Sequence, residues 1–181
     1  MGLDIHAASH LRHVGPMPSE EELDRLEEAL EKEDKYLSDA YFLMDENPEG
    51  FEQHMAGMKT GLYELSHESE EHSFRAGPYS YYNDWRRHLC LFALKVPAED
   101  VWADPDQFAG KPFVELINFT DCDGRIGTTV AAKLAQDFRS HFSQAEAYAH
   151  TLSEMKDWLE VYVDFLKAFE LAAQDGALKF C

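Results

Sequence analysis

Leu152, Met155, Leu159, Tyr162, Leu166, Phe169 and Ala173 recur at alternating spacings of three and four near the end of the chain. No other pattern restricts the fold as much. It predicts a long amphipathic helix that must lie on an apolar surface. Thr151 with Glu154 forms a capping-box pattern at its start, and Gly176 fits its C-terminal stop. Residues 177–181 follow with apolar side chains at alternate positions, the pattern of an edge strand.

Such a helix needs a partner layer, and several segments supply one. Leu3, Ile5 and Ala7 alternate with Asp4 and His6, which predicts a strand over 2–7. Phe113, Val114, Leu116, Ile117 and Phe119 form a short apolar run whose length and composition predict a buried strand over 113–119. Glu115 inside that run must be paired, at a sheet edge or functional. Shorter strands are expected over 62–65 and 72–75. The fold class that results is α+β: a mostly helical single domain with a small β-sheet, residues 1–181 forming one compact acidic domain.

After the 113–119 run, residues 120–124 (TDCDG) carry turn chemistry. Val130, Leu134 and Phe138 then mark the apolar face of a helix that Thr128 or Thr129 can cap. Backbone donors at the start of that helix favour an anion. Asp121 and Asp123 oppose one unless Arg125 or a metal offsets them. The glycine spacing matches no standard phosphate loop. Asp121-Cys122-Asp123-Gly124 resembles the opening of a calcium loop, but Ala132 stands where the closing Glu belongs.

A second unit lies at 74–87, FRAGPYSYYNDWRR. Gly77-Pro78 is turn punctuation, and Ser80 can cap the helix that follows. Tyr82, Trp85, Leu89 and Phe92 form its core stripe. Tyr79, Tyr81, Asn83 and Arg86 fall off the stripe, and Arg75 precedes the turn. Arginine beside aromatic rings suits phosphate or carboxylate recognition, although pairing with nearby acids accounts for the arginines equally well.

Ahead of these units, His6, His10 and His13 follow no metal-ligand spacing. Ser19 and Glu22 form a capping box that opens a helix with Leu23, Leu26, Leu30 and Leu37 on one face and dense charge on the other. Residues 36–44 continue that apolar pattern as another turn or short helix. Asn47-Pro48-Glu49-Gly50 breaks the chain.

Composition narrows the function classes. Sixteen basic and 35 acidic residues give a net charge of −19, which argues against non-specific nucleic-acid binding. Cys90, Cys122 and Cys181 suggest neither a disulfide framework nor a zinc site. The opening lacks a secretion signal and no apolar run is long enough to span a membrane, so the expected compartment is the cytoplasm.

The MGLDI opening, the HSFRAGPYSYYNDWR segment and ELINFTDCDGRIG together resemble uncharacterised proteins of bacteria and their phages or prophages. The resemblance implies a cytoplasmic accessory protein and assigns no role to any residue.

Three function classes follow. The first is a binder of a small anionic, nucleotide-like ligand, using Arg75, Tyr79, Tyr81, Asn83, Arg86, Asp121, Asp123, Arg125 and the helix start at Thr128. The second is a hydrolase using Glu115, Asp121 or Asp123, with His72 nearby. The third is an interaction protein whose acidic surface meets a basic partner or a second copy. No Gly-x-Ser-x-Gly, His-Glu-x-x-His or Walker pattern occurs, and neither a cofactor nor a metal is expected.

Overall fold

The structure, a computed structural model, describes residues 2–181. Two antiparallel sheets form its frame. The larger contains β1 (Gly2–Ala8), β5 (Glu71–Pro78), β6 (Gly124–Gly127) and β7 (Ala177–Phe180) in the order β5-β1-β7-β6. The smaller contains β2 (Arg12–Gly15), β3 (Tyr41–Met44) and β4 (Gly61–Glu64) in the order β2-β4-β3. The expectation of an α+β fold therefore holds, with a second sheet in addition.

Strand alternation divides the larger sheet into two faces. The cross-strand rows Phe74–Ile5–Phe180–Gly124 and His72–Ala7–Leu178–Ile126 include the apolar residues that turn toward the helices. Three helices fill most of that layer: α3 (Tyr79–Leu94), α6 (Thr128–Ser140) and α8 (Trp158–Ala172). On the other side of the sheet, Ala8 and Ala177 pack with Phe42, Met44 and Tyr63 in a smaller core shared with the second sheet.

The 113–119 run is not a strand. Phe113 takes a left-handed conformation (φ 63°) and opens the short helix α5 (Val114–Ile117), and the strand lies beyond the turn as β6. A short, mostly apolar run satisfies a buried helix and a buried strand alike, so its periodicity could not separate them. Gly127 precedes α6 as its cap residue, and neither Thr128 nor Thr129 makes a side-chain capping bond. Pro78, rather than Ser80, stands at the N-cap of α3.

Further differences lie along the chain. The final helix begins at Trp158, not at the Thr151–Glu154 pattern; the Thr151 hydroxyl instead donates to the Tyr148 carbonyl at 2.7 Å. Its buried face is Trp158, Val161, Tyr162, Phe165, Ala168, Phe169 and Ala172, which leaves Leu159 and Leu166 half-buried. Strand β7 is interior rather than an edge, because β1 and β6 flank it. The left-handed residue after α8 is Asp175 (φ 48°). Gly176 serves close approach instead, since a Cβ there would collide with the Ala8 carbonyl oxygen. Residues 36–44 form the four-residue helix α2 (Leu37–Ala40) followed directly by β3.

The capping box of Ser19 and Glu22 is present at the start of α1 (Glu20–Glu31). Helices α4 (Ala98–Ala103) and α7 (Phe142–Ala149) complete the set. Among the described residues no helix is long and apolar enough to cross a membrane.

Candidate functional site

The nine residues proposed for a ligand site fall in separate places. Arg86 is 6% exposed beneath α5. Its Nη1 donates to the carbonyls of Ile117 (3.5 Å) and Phe119, and its Nε donates to Asn83 Oδ1 at 3.1 Å. Asn83 in turn donates to Asp121 Oδ2 at 2.8 Å, and Asp121 lies 3.8 Å from Arg86. These three sequence-predicted residues do meet. The guanidinium satisfies carbonyls left free at the end of α5, so its donors are largely occupied within the fold.

Arg125 lies elsewhere and is 3% exposed. It reaches Asp45 at 2.5 Å, Asp123 at 2.9 Å and the Leu43 carbonyl at 3.2 Å. Arg75 lies on β5, largely exposed, 3.6 Å from Asp4. It shares an open cleft with Tyr81, Asp157, Glu160 and Asp164, whereas Arg86 lines a different one with Trp102 and Phe51. Tyr79 is half-buried against the main core. The start of α6 at Thr128 is covered by the chain: the Thr129 N–H donates to the Ala56 carbonyl at 3.0 Å, and a Cβ on Gly57 would strike Thr128 and Thr129.

The hydrolase candidates are also dispersed. Glu115 pairs with Lys133 at 2.5 Å. His72 stands on β5 with its Nε2 3.3 Å from Asp164 Oδ1, out of line for a hydrogen bond. The N-terminal histidines do not converge, since His6 lines one cavity while His10 and His13 line another.

A different grouping emerges on the second face of the large sheet. The register aligns Ser73, His6, Lys179 and Arg125 in one row across all four strands. Three consecutive strands thus contribute a basic side chain to one line, in a chain whose net charge is −19. Arg125 is taken up by Asp45 and Asp123. His6 accepts or donates at Ser73 Oγ (2.6 Å), lies 3.1 Å from Glu71 and stacks on Phe42. Among the described residues Lys179 enters no ion pair.

A cavity of about 450 Å³ opens over His6 and Lys179. Tyr36, Leu37, Tyr41 and Phe42 supply its apolar wall, and Glu27 and Glu31 approach from α1. This volume lies within the range of small-molecule pockets, and a few polar groups converging among apolar walls is their usual composition. The sequence reading missed His6 and Lys179 as a pair. The available signal was the alternation that puts both on the polar face of their strands.

Burial holds the His6 imidazole below its ordinary range near 6.5, with Glu71 opposing and Lys179 reinforcing the shift. The buried His54 is lowered for the same first reason, and its Nε2 lies 3.0 Å from the Glu115 carbonyl oxygen. Just below pH 6.5 the unfolded chain therefore binds more protons than the fold does. The stability from keeping these rings neutral is present above that pH and is lost as pH falls through the lowered folded values. Urea midpoints of wild type and His6→Asn at about pH 7.5 and about pH 5.5 check this. Wild type should lose more stability on acidification than the variant; an equal change in both would show that His6 contributes nothing.

A scan against protein-family models and searches of curated proteins and of solved structures found no match.

Proposed function

We propose that the protein binds a small anionic ligand in the cavity over His6 and Lys179. One observation carries this reading: the row that places Lys179, in no ion pair among the described residues, on the floor of a cavity of about 450 Å³, beside a histidine and beneath aromatic rings. An ammonium in a partly desolvated site forms charge-assisted hydrogen bonds to a carboxylate or phosphate. Tyr36, Tyr41 and Phe42 suit a ligand with a flat body. Arg75 and Arg86 carry no part of this reading, because one pairs on the surface and the other supports α5.

The test is calorimetry with nucleoside monophosphates and aromatic carboxylates on wild type, Lys179→Ala and Arg75→Ala. Removing Lys179 should weaken binding by about 1.5–3 kcal/mol, roughly 10- to 150-fold, while Arg75→Ala binds as wild type does. Equal affinity in wild type and Lys179→Ala would place the ligand elsewhere. A bound anion also favours the protonated form of His6, so affinity should rise as pH is lowered toward 6.

A further inference from the structure

Helix α1 leaves an apolar stripe that its own chain does not finish covering. None of its residues is buried, and Leu23, Leu26 and Leu30 are only partly shielded. Beside it runs an open groove of about 370 Å³ lined by Pro16, Pro18, Leu26 and Leu62, with Glu22 and Arg25 at its margin. Val14 and Met17 extend the apolar surface next to this groove, exposed by 42% and 37%. An amphipathic helix is ordinarily stabilised by burying its stripe, so a stripe left partly open is surface available to a partner.

The charge around the groove selects the partner. Helix α1 carries seven carboxylates and one arginine, and all seven carboxylates are exposed. Its first turn is Glu20, Glu21 and Glu22, and its last turn has no basic residue. A second copy would bring the same acidic helix, with Glu21, Glu22, Asp24 and Glu28, to a two-fold contact, where like charges repel. Anionic lipid and nucleic acid are disfavoured for the same reason. We propose that this face docks a basic amphipathic segment of another protein, its apolar side chains entering the groove and its lysines or arginines meeting the α1 carboxylates.

The proposal is independent of the cavity over Lys179, which lies on the other flank of α1 and uses Glu27 and Glu31. A labelled amphipathic peptide of leucine and lysine, titrated into the full chain by fluorescence anisotropy, is the probe. A matched peptide with serine in place of leucine is its control. Two variants report on the face: Leu26→Ser, and the combined reversal Glu21→Lys, Asp24→Lys and Glu28→Lys. These acids are exposed, so the reversal does not disturb packing, and far-UV circular dichroism verifies the fold. The leucine–lysine peptide should bind the wild type and Lys179→Ala alike. Each face variant, and the serine peptide, should bind at least about tenfold more weakly, and added salt should reduce the wild-type affinity. If both peptides bind alike, the surface is only a field of counter-charge and the groove is not a docking site. If the variants bind as wild type does, or no peptide binds, the proposal fails.

Discussion

Phe165→Ala is expected to destabilise the chain by about 3–5 kcal/mol, the range for removing a large ring from a well-packed core. Phe165 is fully buried at the centre of the aromatic core. Its ring meets Phe74 and Trp85 at 5.0 Å between centroids, Phe169 at 5.8 Å and Tyr82 at 6.0 Å. Those neighbours come from β5, α3 and α8, so the space left behind touches rigid elements on several sides and cannot easily collapse. The adjacent Leu166 is half-buried, and Leu166→Ala should cost only about 1–2 kcal/mol, since less apolar area leaves water there. Urea denaturation of the two variants decides the question. Equal losses would mean that the helix presents its Leu159–Leu166 face to the core, as the sequence spacing alone predicts.

Arg125→Ala is the second large effect, about 2–4 kcal/mol. The guanidinium ties the two sheets together, donating from β6 to the Leu43 carbonyl of β3 while pairing with Asp45 and Asp123. Its backbone is held as well: the Arg125 N–H donates to Asn47 Oδ1 at 2.6 Å, and Asn47 donates back to the Arg125 carbonyl at 2.8 Å. Removing the side chain leaves the part-buried carbonyl of Leu43 without the guanidinium donor. The two carboxylates are partly solvated, which keeps the loss below that of a fully buried pair. Arg125→Lys should recover only part of the stability, because an ammonium cannot reach both carboxylates and the carbonyl together. A loss below about 1 kcal/mol for Arg125→Ala would show that the small apolar core alone joins the sheets.

Much of the fold was legible in the sequence because it is local. The stripe of Tyr82, Trp85, Leu89 and Phe92 is buried as its spacing predicts, and Leu3, Ile5 and Ala7 face the core of their strand. Ser19 and Glu22 cap the acidic helix, and that helix turns its carboxylates outward. These features follow from periods of 3.6 and 2, which neighbouring residues set among themselves. The 113–119 run marks the limit, since a stretch this short and mostly apolar carries no clear period to read.

The sites depended on longer range. Arg75 and Arg86 are close in sequence, yet the strand-to-helix junction at Pro78 leaves one on an exposed strand and the other beneath α5. His6 and Lys179 are nearly the length of the chain apart, and only the pairing of β1 with β7 brings them side by side. By itself the sequence determined the strongly periodic helices, the alternating first strand and the acidic exterior, because each is decided by nearby residues and their contact with water. Tertiary structure alone decided which cations lie buried and satisfied and which line a cavity, because hydrogen-bond partners and strand register are supplied by segments remote in the chain.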